Sequence, residues 1–195
     1  MTDNEPREGD LVRAAGIIRR ARYSIALVGA GMSRESGIPT FRGDDGLWTR
    51  YGEPDMMGYQ RFVEDPKGWW ERRNAPDPRM QELAVALESA RPNPGHYAMA
   101  EMERLGYLKH IITQNVDNLH HEAGSLSVTE IHGNRHKLRC LSCGQRFWLT
   151  EFTFTELPPR CPHCGGLIKS DTVMFGEPIP SDALQTCFAE SEKAD

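Results

Sequence analysis

Two cysteine doublets constrain this chain more than any other feature. Cys140-x-x-Cys143 and Cys161-x-x-Cys164 are separated by 17 residues. A Cys-x-x-Cys knuckle aims two sulfurs at one point, and two such knuckles complete the tetrahedral thiolate set that suits zinc. Four sulfur ligands leave no coordination position for a substrate, so the metal's role is expected to be structural. Gly144, Gly165 and Gly166 follow the second cysteine of each doublet, where positive φ is expected. The module is bounded at residues 137–169. The fifth cysteine, Cys187, reads as a core residue of the last helix. Paired doublets in this pattern point to thiolates in a reducing compartment, with the cytoplasm as the default.

The rest of the chain alternates short apolar runs with helical patterns. Leu11, Val12, Ala15, Ile18 and Ala21 form a helical stripe. Tyr23–Val28, Tyr107–Thr113 and Ser127–Ile131 read as buried strands. Residues 29–43 are expected to form a loop with one helical turn at most, and residues 44–78 an irregular stretch broken by glycine and proline. Helices are expected over Arg79–Ser89 and from Pro94 to Gly106, the second capped by Asn93. Asp171–Phe175 reads as a strand that rejoins the main sheet, followed by a helix over Ser181–Glu192. Strands alternating with helices predict an α/β fold, a Rossmann-like parallel sheet carrying a small zinc-ribbon domain. Residues 9–136 and 170–195 would form the nucleotide-binding domain, with a helical insertion over about 44–90. The last residues fall in a helix where a doubly wound fold would next supply a strand, so the sheet is expected to be incomplete at its carboxyl-terminal end.

Charge narrows the partners. The net charge is −5 with 28 acidic against 23 basic residues, which favours neither nucleic acid nor an anionic membrane. It tolerates a basic, lysine-bearing polypeptide. The polar stretch Met1–Asp10 lacks the apolar centre of a signal peptide, and no run approaches the ~20 apolar residues of a membrane helix.

Gly29-x-Gly31 follows the first strand, where backbone N–H groups can approach a pyrophosphate. Alone it is a weak fingerprint, because Arg34 stands where a dinucleotide motif has its third glycine. The longer string Gly29-Ala-Gly-Met-Ser-Arg-Glu-Ser-Gly-Ile-Pro-Thr-Phe-Arg-Gly43 closely resembles the cofactor loop of the sirtuins, the NAD-dependent protein deacylases. Gln114-Asn115-Val116-Asp117, His132-Gly133, the two doublets and Phe175-Gly176-Glu177 match in the same order.

That resemblance implies transfer of an acyl group from lysine to ADP-ribose with release of nicotinamide. His132 would be the general base on the ribose hydroxyls, a task suited to an imidazole that is neutral near pH 7. Read without the family, His132 is a surface histidine at a strand end. Asn115 and Asp117 map onto the nicotinamide pocket, and otherwise read as a turn capping a helix near Asn118. Gln114 would meet the nicotinamide ribose, with Val116 beside it. Ser33 and Arg42 would contact the cofactor near the reacting ribose and phosphates. Gly29, Ala30, Gly31 and Arg34 line the loop, and Phe41 would cover the nicotinamide site. Val173 and Phe175 map onto the strip that holds an acyl-lysine peptide as an added strand. Trp70 stands where some acidic-acyl deacylases carry tyrosine, with Arg73 three residues on. Without that tyrosine an acetyl or longer apolar chain fits better, and both Trp69 and Trp70 also read as core. Two alternatives are a non-catalytic peptide-binding zinc ribbon and a protein ADP-ribosyltransferase.

Overall fold

The three apolar runs form one parallel sheet. In the computed structural model, which describes residues 7–44, 46–73 and 78–195, β1 is Ile25–Val28, β2 His110–Thr113 and β3 Val128–Glu130, in the order β1-β2-β3. Val28 pairs with Thr113, and Thr113 with Glu130, so the three carboxyl ends lie side by side. Every residue of β2 is buried, as a central parallel strand covered on both faces requires. The polar N-terminal residues 1–6 and Pro76 lie outside the described residues.

Helix α1 (Glu8–Arg20) carries Glu8 and Asp10 in its first turn and Arg19 and Arg20 in its last, matching the helix dipole. Residues 46–73 are more ordered than their glycines and prolines predict. Three short helices occur there: α2 (Leu47–Tyr51), α3 (Gly58–Glu64) and α4 (Pro66–Arg72). The breakers sit at the helix ends. Gly46 and Gly52 flank α2, while Pro66 opens α4 behind Asp65, whose side chain accepts from the Gly68 N–H.

Helix α5 (Pro78–Ser89) leads to α6 (Pro94–Arg104). Asn93 caps α6 as expected, and His96 closes the capping box: the Asn93 N–H donates to His96 Nδ1 at 3.3 Å. Gly106, at φ 78°, turns the chain toward β2.

A second sheet carries the cysteines. Strands β4 (Lys137–Cys140), β5 (Arg146–Trp148) and β6 (Ile168–Ser170) are antiparallel in the order β5-β4-β6. They pack with α3 and α4 around Phe62, Trp70, Leu138, Cys140, Cys161 and Ile168. Trp70 donates its indole N–H to the Ile168 carbonyl at 3.1 Å, and Trp69 meets Phe62 edge-on, so both tryptophans belong to this core.

Asp171–Phe175 is not a strand of the main sheet. The ladder stops at Ser170, in the small sheet, and the following residues form a bent connection. Its N–H groups go elsewhere: Val173 donates to the His132 carbonyl and Met174 to the Glu177 carboxylate. After α7 (Leu119–Glu122), which precedes β3, the chain ends in α8 (Ser181–Lys193). Cys187 is buried on α8, as its position in a core helix predicts, and burial pushes its thiol up. Among the described residues no helix is long and apolar enough to cross a membrane.

Candidate active site and metal centre

Open parallel sheets bind ligands beyond the carboxyl ends of their strands. Here that edge receives the loop after β1, the loop after β2 and the turn after β3.

The first loop is a 3₁₀ helix, Ala30–Ser36, closed by Gly37 at φ 87°. Gly29 is in extended backbone, and a β-carbon there would meet Gln114 Nε2 at 3.5 Å. Ser33 points inward and is buried. Its hydroxyl donates to Asp117 Oδ2 at 2.6 Å, and Asn115 Nδ2 donates to Ser33 Oγ at 3.0 Å and to the Gly29 carbonyl at 3.1 Å. Ser33, Asn115 and Asp117 are therefore one network across the β1 and β2 loops. Asp117 also caps α7, its Oδ1 accepting from the Leu119 N–H at 3.0 Å. One carboxylate serves both the start of α7 and the Ser33 network because it has two oxygens.

His132 stands at the end of β3, partly exposed. Its Nδ1 lies 3.0 Å from the Gln114 carbonyl. A carbonyl can only accept, so Nδ1 carries the proton in the neutral ring and Nε2 keeps its lone pair. That is the tautomer of a general base. Gly133, at φ 73°, follows so closely upon the Asp171 carbonyl that a β-carbon would overlap it.

Phe41, Arg42 and Phe175 gather on Trp48. The ring centroids of Phe41 and Phe175 lie 5.4 and 5.8 Å from it, and the Arg42 guanidinium sits 4.6 Å above it. Val173 lies against His132 through its 2.9 Å backbone hydrogen bond. Val116 offers its carbonyl to Arg135, while Gly31 faces open space and Arg34 is exposed, apart from the Ser33 network.

Several site residues escaped sequence reasoning. Trp48 joins Phe41, in the loop after β1, to Phe175, with no local signal beyond its aromatic ring. Thr113 Oγ1 accepts from the Asn115 N–H at 3.1 Å, and Asn93 Nδ2 donates to the Met32 carbonyl at 2.8 Å, propping the loop from α6. His96 and His120 are buried with ring centroids 4.8 Å apart. Burial, reinforced by His96, drives His120 down to about 4, so it is uncharged at neutral pH.

The four cysteines converge. Their sulfurs all lie within 4.8 Å of one another, with Cys140 and Cys164 3.5 Å apart and Cys143 and Cys161 3.8 Å apart. Burial raises the Cys140 thiol, but the N–H groups of Cys143 and Ser142 outweigh it and bring it to about 7. Cys164 receives the Gly166 N–H, yet the sulfurs of Cys143 and Cys140 hold it up to about 12. Crowded thiols that resist losing all their protons fit a divalent cation, and four thiolates fit zinc. Gly144 and Gly165 adopt φ of 73° and 72° as expected. Gly166 does not take positive φ. It is needed for space, since a β-carbon there would lie 2.5 Å from Ser142 Oγ and 2.9 Å from Cys140 Sγ.

The model of the Sir2 family matches residues 29–195. The chain belongs to the Sir2 family. A relative named NAD-dependent protein deacylase, from Thermococcus kodakarensis, is 46% identical over 191 residues, 95% of this chain and 72% of that protein. A NAD-dependent protein deacetylase from Caldivirga maquilingensis is 44% identical over 183 residues, 92% and 68% of the two chains. Among solved structures, a Sir2 homolog–NAD complex superposes with a TM-score of 0.70 at 40% identity, covering 100% of this chain and 72% of that one. A Sir2–p53 peptide–NAD+ complex gives 0.68 at 30% identity, covering 93% and 71%. The parallel sheet and the four-cysteine cluster thus belong to a Sir2 protein.

Proposed function

We propose that this Sir2 protein is an NAD-dependent protein-lysine deacylase that moves an acyl group from lysine to ADP-ribose and releases nicotinamide. The observation that carries the assignment is His132: its Nδ1 is fixed on the Gln114 carbonyl, so Nε2 is available as a base. NAD, when bound, supplies the electrophilic ribose carbon and the leaving nicotinamide. Gly29, Ala30, Gly31, Arg34 and Val116 would border the cofactor, with Ser33, Asn115 and Asp117 at the nicotinamide end. Asp117 presents a fixed carboxylate toward the positive charge that develops as nicotinamide leaves. Arg42 would face the phosphates, Phe41 would screen the nicotinamide site, and Gln114 would contact the ribose. His132 would then take a proton from the ribose hydroxyls.

Residues 9–136 and 170–195 form the NAD-binding part, residues 137–169 the zinc module, and Cys140, Cys143, Cys161 and Cys164 hold a structural zinc ion. Val173 and Phe175 receive the backbone of an acyl-lysine peptide. Trp70 commits its one polar group to Ile168 and presents no hydroxyl to an acyl carboxylate, which favours acetyl or a longer apolar chain. The uncrosslinked cysteines fit the reducing cytoplasm.

The test is nicotinamide release from NAD with an acetyl-lysine peptide. Release that needs the acetyl group and disappears in His132→Ala supports deacylation. Equal release with unacetylated peptide would indicate ADP-ribosyl transfer instead.

A further inference from the structure

Three cations and three carboxylates meet between the two sheets. Arg139 comes from β4, Arg146 from β5 and Lys169 from β6, one from each strand of the small sheet. Asp171 and Glu177 bound the connection that contains Val173 and Phe175, and Asp182 lies on α8. The side chains of Lys169, Asp171 and Glu177 are 0%, 1% and 2% exposed. Charges so deeply buried persist only when paired and hydrogen-bonded on every side.

Each of the two buried carboxylates joins two parts of the molecule. Asp171 Oδ1 accepts from Arg139 Nε at 3.1 Å and Arg146 Nε at 3.0 Å, whereas Oδ2 accepts from the Asn134 N–H at 3.0 Å. One oxygen thus faces the metal-bearing sheet and the other holds the turn that follows His132. Glu177 Oε1 accepts from Arg139 Nη2 at 2.6 Å. Its Oε2 lies 3.0 Å from Lys169 Nζ and accepts from the Met174 N–H at 2.8 Å, closing the turn that presents Phe175. Lys169 Nζ also donates to the carbonyls of Ser170 and Thr172 at 2.7 and 2.8 Å. Between these anchors the Val173 N–H meets the His132 carbonyl.

We propose that Asp171 and Glu177 are positioning residues through which the small sheet fixes the peptide strip, Val173 and Phe175, relative to His132. This rests on the deacylase assignment for its kinetic consequence, but the geometric part stands without it. Neither carboxylate acts on substrate. Each holds backbone: Asp171 that of Asn134, Glu177 that of Met174. Two carboxylates anchored to the cations of one sheet therefore set both sides of the gap a peptide would enter. The small sheet thereby gains a role in peptide binding that its metal does not perform.

The test uses Asp171→Asn and Glu177→Gln in the zinc-loaded protein. An amide has one oxygen, so the Asp171→Asn side chain cannot satisfy both the arginines and the Asn134 N–H. Amide exchange should quicken at Asn134 and Val173 in Asp171→Asn, and at Met174 in Glu177→Gln, by clearly more than at the slowest-exchanging amides of the parallel sheet, with zinc content unchanged. The KM for acetylated peptide should rise about tenfold while the KM for NAD holds. Unchanged local exchange and peptide KM would overturn the proposal. So would equal losses of NAD binding, zinc and global protection, the pattern of a merely structural role. If Asp171→Asn does not fold, Glu177→Gln carries the test by itself, and an unmoved Met174 amide with an unmoved peptide KM there would overturn it equally. A wild-type protein that binds zinc but releases no nicotinamide would defeat the deacylase assignment, and the exchange data would still decide the positioning role.

Discussion

The two sheets differ in what supplements their apolar packing. The parallel sheet is held by apolar burial, with Ile111 and Ile112 at its centre, and its edge residues join through neutral or singly charged hydrogen bonds. The small antiparallel sheet has strands of three or four residues and relies on clustered thiols and buried ion pairs. A sheet that stands on its own core can leave its loop residues free for chemistry. The small sheet shares an apolar core with α3 and α4 and adds to it thiols and buried ion pairs that hold its short strands. Substitutions on the zinc side should therefore move stability first, and those at the parallel edge should move activity first.

The largest effect expected is from Cys161→Ser. Structural zinc in small modules contributes on the order of 10 kcal/mol of apparent binding energy, so the variant should lose its metal and unfold β4–β6. Metal analysis should give about one zinc per chain in the wild type and none in the variant. A folded small sheet without metal would break the contrast.

Lys169→Met comes next. Breaking a buried pair typically costs about 3–5 kcal/mol, because Glu177 loses one of its two cationic partners. Urea unfolding should show the loss, and Lys169→Arg should recover much of it.

An acid effect of about 3 kcal/mol belongs to the interior beside the parallel sheet. The folded state holds His120 down to about 4, whereas the unfolded chain binds that proton near the usual 6.5. The unfolded state thus binds more protons between these values. Stability is fully present above about pH 6.5, falls as pH drops toward 4 and changes no further below it. Replacing His120 with Gln should flatten that part of the stability profile, and melting curves across pH would measure it.

The smallest stability effect should come from His132→Ala, within about 0.5 kcal/mol, because the ring is partly exposed and makes one hydrogen bond. Its effect on turnover should be the reverse, a loss of about 10²–10⁴-fold for a missing general base. Equal damage to stability and rate would blur the distinction between the sheets.

Much of this division is written locally. Short apolar runs mark β1–β3, although only β2 is buried throughout and Leu27 of β1 is exposed; Asn93-Pro94 marks the start of α6, and the doublet spacing marks the thiol cluster. The loop string points to the family because it is long and the later motifs follow it in the same order. What remained hidden depends on distant partners. The helices of residues 47–72 were concealed because their glycines and prolines cap them instead of interrupting them. Thr172 to Phe175 has the apolar character of a strand, yet His132 and Glu177 take the N–H groups that a ladder would use. The ion network joins strands β4, β5 and β6 to residues 171–182, and no local spacing announces such pairing. Trp48 is likewise ordinary until Phe41, Arg42 and Phe175 surround it.

The most direct measurement is nicotinamide release from NAD by wild type and His132→Ala, each with acetylated and unacetylated peptide, in protein shown to be folded and zinc-loaded. Deacylation through His132 predicts release by the wild type only with the acetylated peptide, and its loss in the variant with folding and zinc intact. Release that ignores the acetyl group, or survives the loss of His132, would contradict it.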